Sequence, residues 1–291
     1  MVWVSGMATP EWNAVVARGD SLGFAGMKRA TAPGSTTERL AHDLVEGSRG
    51  DQTAEELAGW LAGSARFRVF AEANREKIRK KFRGAADAEA LRDVRTELHA
   101  ALLLLRDPRI ELAYEAYGSG RPGPDFTITY RGTQRFNLEV TRPRQLRGPT
   151  DFGAVVAKLR QLPTSSANAV LIAIGGTSAE ALDITASTRA LRSLIDAKDE
   201  HFVATRGFDG TRGFYDRYLR LGGVLVWCEG AAGDARAALW FNPSARIALT
   251  PSAARACLRC LRAESAPRSA WRRSSSTDRP GALAAPGLGG H

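Results

Sequence analysis

The chain is poor in the residues that build metal-stapled or disulfide-stapled frameworks. Among its 291 residues there are three cysteines and four histidines. Cys257 and Cys260 form a lone Cys-x-x-Cys, and Cys228 stands apart from them. A structural zinc site needs about four ligands. No second cysteine pair supplies them, and His42, His99, His201 and His291 are scattered. Long apolar runs are also lacking: none approaches the roughly 18 residues of a membrane helix. The opening Met-Val-Trp-Val-Ser-Gly-Met has neither the basic region nor the long apolar region of a secretory signal. A cytoplasmic protein with no membrane partner is expected.

What is present is the composition of a globular protein, 44% apolar and 25% charged, with a formal net charge of +10. The length suits one large domain or two small ones. A basic balance points to a polyanionic partner, usually nucleic acid. Its distribution tempers the inference. From Arg255 onward seven arginines face only Glu264 and Asp278, so about half of the excess lies in the tail. A second concentration, Asn74 to Arg83, includes Lys77, Lys80 and Lys81. It reads either as a solvated helix face or as a helix that contacts phosphates.

Residues 1–50 are rich in small and polar residues and predict mostly irregular structure, with a short helix near 37–46. Residues 51–86 form a helical, basic extension, with Leu57, Trp60, Leu61, Phe67, Phe70 and Ile78 as an intermittent apolar face. A stronger helix spans 87–106, where Leu91, Val94, Leu98, Leu102 and Leu105 recur at spacings of three and four. Asp107-Pro108 ends it. A strand follows at 109–117, then a hairpin of 126–130 and 135–141, a helix at 151–162, and an apolar strand at 169–174 suited to burial on both faces. A helix at 179–197 and strands at 221–227 and 235–241 complete an α/β domain over residues 87–250. Residues 265–291 lack apolar patterning and are expected to be disordered.

Side chains in a strand alternate between faces. Phe126, Ile128 and Tyr130 point one way, so Asp125 points the other; Phe136, Leu138 and Val140 oppose Asn137, Glu139 and Thr141. If the apolar sets share the core, Asp125 and Glu139 share one polar face. Unpaired buried carboxylates are costly, and a cation between them resolves the cost. The alternative is a Pro-Asp turn and a strand glutamate paired with an arginine such as Arg131. Gly175 to Ser178 reads as an ordinary strand–helix turn.

Pro124-Asp125 with Glu139-Val140-Thr141, set in the order helix, three strands, helix, strand over about 87–175, resembles the PD-(D/E)XK nuclease superfamily. The resemblance implies a restriction-endonuclease-like core with a central mixed sheet. It also implies Mg²⁺ or Mn²⁺ held by Asp125, Glu139 and the Val140 carbonyl. Glu97, on the preceding helix, is the further acid the family often uses, and Glu115 is a weaker candidate. The activity implied is hydrolysis of nucleic acid, with DNA the expected polymer, and a homodimer where both strands are cut. Thr141 departs from the family pattern, which has lysine there. Lys158 on the next helix is the candidate substitute, with Gln161 beside it. Arg142, Arg144 and Arg147 would suit backbone phosphates. Two alternatives stand beside the nuclease: a nucleic-acid-binding protein of the same fold without catalysis, and a protein-interaction module.

Overall fold

The computed structural model describes residues 35–47, 51–118, 123–145, 148, 150–175, 183–229 and 236–262. The expected irregular start, the tail and Arg147 lie outside these residues. Helix α1 (Thr36–Val45) opens on a capping box in which Ser35 and Glu38 satisfy each other's backbone N–H groups. The apolar stretch that follows is three helices, α2 (Asp51–Gly63), α3 (Ala65–Ala73) and α4 (Arg75–Gly84). The breaks have local causes. Ser64 caps α3 by accepting from the Phe67 N–H, and the Asn74 amide donates to the Phe70 carbonyl at the end of α3. Helix α5 (Ala88–Leu104) is capped by Asp87 and stops short of Pro108.

Strands β1 (Ile110–Tyr114), β2 (Phe126–Tyr130) and β3 (Gln134–Thr141) form an antiparallel meander. A short helix α6 (Gly153–Lys158) and a 3₁₀ turn (Leu159–Gln161) cross over to β4 (Ala167–Gly175), which lies parallel to β3. Helices α7 (Ile184–Asp196), α8 (Glu200–Thr205) and α9 (Gly210–Tyr218) lead to β5 (Leu221–Glu229), parallel to β4. Antiparallel β6 (Arg236–Phe241) closes a six-stranded mixed sheet in sequential order, and α10 (Pro251–Arg262) follows. Gly222 and Gly223 let β5 approach closely: a side chain on Gly223 would press within 2.8 Å of the Trp240 carbonyl.

The sheet separates two cores. On one face Phe126, Ile128, Phe136, Leu138, Val140, Leu171 and Leu225 pack with α1–α5 and α10. On the other Val170, Ile172, Val224 and Val226 pack with α6–α9. The first core continues from Ala41 to Leu261, so the N-terminal helices and α10 belong to the same packed body as the sheet. Helix α10 lies beyond the elements expected from the sequence. Its Cys257 and Cys260 are buried, and burial pushes both thiols up, so the lone Cys-x-x-Cys is packing.

A buried polar ladder runs across the second face. Thr127 donates to Asn137 at 2.9 Å, and Asn137 donates to Asn168 at 3.0 Å. Asn168 donates in turn to the Pro163, Ser166 and Arg220 carbonyls. Every rung must find its partner at one register, because a slip of one residue would turn the amides to the other face. That register places Glu139.

Candidate active site

The β2–β3 register pairs Phe126 with Leu138. One step further along the same diagonal, Asp125 stands opposite Glu139, and opposite residues in an antiparallel pair share a face. Asp125 lies just before β2, and its Oδ2 accepts from the Val140 N–H at 2.8 Å. The carboxylate thus extends the ladder where the strand pairing ends. A residue in an antiparallel ladder offers N–H and C=O to the same neighbour, so the Val140 carbonyl also faces the Asp125 side.

Glu139 points to the second face, where α6 runs. Lys158, on the last residue of α6, donates from Nζ to Glu139 Oε1 at 2.6 Å. The structure thus brings Asp125, Glu139 and Lys158 together. Gln161 joins them: its Oε1 lies 3.4 Å from Lys158 Nζ. The 3₁₀ turn explains this contact, since residues three apart eclipse in that geometry. Arg131, the alternative partner for Glu139, instead sits in the turn at the far end of the hairpin. There its guanidinium lies over the Tyr130 ring.

Glu97 reaches the same place from α5. Lys81 Nζ donates to Glu97 Oε2 at 2.5 Å and lies 3.2 Å from Asp125 Oδ1 and 3.4 Å from Glu115 Oε1. Tyr114 donates its hydroxyl to Glu97 at 2.9 Å. Glu115 takes the left-handed region, with φ 44°, and its N–H donates to the Asp125 carbonyl. A non-glycine residue held there carries backbone strain. The strained turn places the Glu115 carboxylate beside Lys81 and fixes the backbone of Asp125.

The electrostatics follow from burial. The Glu139 side chain is 3% exposed, against 12% for Asp125 and 25% for Lys158. Burial, then the negative charge of Asp125, raises the Glu139 carboxyl to about 7 despite Lys158. The same two causes, partly offset by Lys81, raise Glu97 to about 8. Burial acts to lower both lysines, but the surrounding carboxylates outweigh it and hold them above the ordinary range. Asp125 therefore couples the two halves of the cluster, Glu97 with Lys81 on one side and Glu139 with Lys158 on the other.

The cluster is short of positive charge. Glu97, Glu115, Asp125 and Glu139 face Lys81 and Lys158, which leaves two negative charges when all are ionised. Glu139 Oε2 is buried and meets no hydrogen-bond donor. An orphaned buried carboxylate oxygen and an excess of two negative charges fit a hard divalent cation, which prefers oxygen ligands. Against this, no three carboxylate, imidazole or thiolate donors gather around one point among the described residues. The Lys81 ammonium separates Glu97, Glu115 and Asp125.

The basic residues expected at phosphates have varied surroundings. Lys77 donates to the Tyr114 carbonyl at 2.6 Å and Lys81 lies within the carboxylate cluster. Lys80 is exposed. Arg75 and Arg79 of the same helix pair with acids of α1. Arg142 is half-buried and pairs with Glu89 and Asp93, while Arg144 is exposed. Lys81 was legible as charge but not as a partner of Glu97, because no local pattern joins α4 to α5 across the start of β2.

Fold and site together define an α/β protein with a mixed six-stranded sheet and a buried carboxylate–lysine cluster at the end of β3. Comparison with protein-family models, curated proteins and solved structures returns no match to this chain.

Proposed function

We propose that this protein is a Mg²⁺- or Mn²⁺-dependent phosphodiesterase that acts on nucleic acid, with DNA the expected polymer. The observation that carries the reading is Glu139, a buried carboxylate with one oxygen on Lys158 and the other without a partner, opposite Asp125. The order α5, β1–β2–β3, α6, β4 supports it, because a restriction-endonuclease-like core runs in that order. Asp125, Glu139 and the Val140 carbonyl would hold the cation, with Glu97 as a further ligand once Lys81 withdraws. Bound there, a divalent cation polarises the scissile phosphate and lowers the pKa of an attacking water. Lys158 takes the part that Thr141 cannot. Its ammonium, fixed between Glu139 and Gln161, offers a donor to the attacking water and positive charge to the developing anion. Val155, Val156 and Leu159 anchor α6 in the core and so hold Lys158 to that geometry.

The test is metal-dependent cleavage of plasmid and single-stranded DNA by the wild type and by Asp125→Ala, Glu139→Ala and Lys158→Ala. Loss of cleavage in all three variants is expected. Cleavage that survives Asp125→Ala sinks the proposed site.

One observation favours a second reading, a nucleic-acid-binding protein without turnover. Lys81 already neutralises Glu97 and Asp125, as an ammonium would in a site that has given up its metal. Absence of cleavage by the wild type with either metal, together with DNA binding that weakens steeply as salt is added, would select it.

A further inference from the structure

Helix α5 has a second functional flank. Away from Glu97, a cleft of ≈ 360 Å³ opens between α5, the loop after β3 and the C-terminal ends of β4 and β5. Arg92, Arg142, Arg144 and Trp227 line it, with Ala173 and Ile174 as an apolar side. No acid lines it among the described residues. Glu89 and Asp93, outside the lining, hold the Arg142 guanidinium at 2.5 and 3.1 Å. They fix its orientation and leave the other edge of the fork available.

Two buried donors on this wall lack an acceptor, Arg142 Nε and Trp227 Nε1. Neither group can accept a hydrogen bond, so a metal ion or another cation has nothing to hold it here. A buried donor without a partner calls for an explanation, and an oxygen-rich anion supplies one. The space exceeds what a bare oxyanion fills and falls in the range of small-molecule pockets. The apolar side suits a sugar and base attached to that anion.

We propose that this cleft binds a phosphate monoester, the terminal phosphate of a nucleic-acid strand. A monoester presents three free oxygens, enough for Arg142 Nε, Trp227 Nε1 and the Arg144 guanidinium. An internal diester presents two. Arg142 lies three residues beyond Glu139, a span of about 10 Å in extended chain. A phosphate in the cleft and one at Glu139 then belong to neighbouring nucleotides of one strand, so the protein trims from an end. The choice of a strand end rests on the nuclease reading; the phosphate chemistry of the cleft does not.

The test is fluorescence anisotropy of the wild-type protein in chelator, with labelled single strands that end in 5′-phosphate, 3′-phosphate or hydroxyl at both ends. A nucleoside monophosphate and its nucleoside are the competitors. One phosphate-ended strand is expected to bind on the order of tenfold tighter than the hydroxyl-ended strand, as for one good charged contact. The preference should vanish in Arg144→Ala, at an exposed position, and in Trp227→Phe, which keeps a ring and loses the N–H. A monophosphate that competes while strand ends show no preference keeps the phosphate site and makes a free nucleotide its ligand. The proposal is overturned if neither phosphate form outbinds its dephosphorylated counterpart. Binding here involves no cleavage, so a failure to cut DNA leaves this result standing. Equal binding of all ends likewise leaves the nuclease test standing.

Discussion

Lys158 donates to one oxygen of Glu139 at 2.6 Å, and the other oxygen of the same buried carboxylate meets no donor. The pair is therefore unequal: the lysine has water and Gln161 nearby, whereas Glu139 depends on Lys158. Lys158→Met should destabilise the fold by about 1–3 kcal/mol at pH 8, the cost of a buried polar group left alone. The sign of its pH dependence is fixed. The Glu139 carboxyl is raised to about 7, above the roughly 4.3 of an unfolded chain. The folded state thus takes up the proton first, and its stability gains as pH falls from about 7 toward about 4.5. Urea midpoints should show a large deficit for Lys158→Met at pH 8 and a small one at pH 5. Lys158→Met with Glu139→Gln should recover at pH 8. An equal deficit at both pH values would mean that Glu139 is not the charge Lys158 offsets.

Protons and a divalent cation compete for the same oxygens. Glu97 and Glu139 are raised to about 8 and about 7 by burial and by Asp125. Mn²⁺ affinity, read by calorimetry, is expected to fall on the order of tenfold between pH 8 and pH 6 as these carboxyls protonate. Glu139→Gln should bind weakly at both pH values and flatten the dependence. A wild-type affinity that is flat across this window would remove both acids from the ligand set.

Lys81 stands where a cation is wanted, 2.5 Å from Glu97 and 3.2 Å from Asp125. Its removal leaves those acids without a counter-charge. Lys81→Met should cost about 3–5 kcal/mol without metal, as for one partner lost from a buried pair. Saturating Mn²⁺ should restore much of that stability, and the gain in melting temperature on adding Mn²⁺ should exceed that of the wild type. A variant equally unstable with and without metal would assign Lys81 to packing alone.

Arg66 joins the helical layer to the sheet. Its guanidinium donates to the Leu105, Asp107 and Ile110 carbonyls at 2.6, 2.7 and 2.6 Å, closing the end of α5 against the start of β1. Arg66→Ala is expected to lower stability by about 2–3 kcal/mol. Arg66→Lys should recover only part, because one ammonium does not reproduce the planar fork. Denaturant midpoints with unchanged slope check both.

Alternation in β2 and β3 and the long stripe of α5 made the site's frame legible. Phe126, Ile128, Phe136 and Leu138 could share a core only if Asp125 and Glu139 shared the other face. The strand β4, apolar at every position, was legible for the same reason. Contacts between distant segments were not. Lys81 meets Glu97 because α4 and α5 pack side by side, and no spacing in the chain encodes that distance. The Thr127–Asn137–Asn168 ladder was equally hidden, since each residue alone reads as an ordinary polar position on a strand. Helix α10 offered a signal that went unread: Ala253, Ala256, Cys257, Cys260 and Leu261 recur at helical spacing after Pro251.

Thr141 and Lys158 can be separated by a swap. Thr141 lies on the Glu139 side of β3, two residues on, where the resembled family carries its lysine. If Lys158 supplies that charge from α6, Lys158→Ala should lose metal-dependent cleavage by at least about a hundredfold, the scale of one lost electrostatic contact to a developing anion. A lysine placed by Thr141→Lys in the Lys158→Ala background then starts from the same face and should recover a measurable part of kcat. Recovery of kcat with little change in KM is the expected pattern, because the charge acts on the transition state rather than on ground-state binding. Thr141→Lys that rescues stability but not kcat would make Lys158 a counter-ion for Glu139 and nothing more. Thr141→Lys in the otherwise wild-type protein adds a second ammonium to a cluster that already holds Lys158, so its effect on kcat should be small beside the rescue.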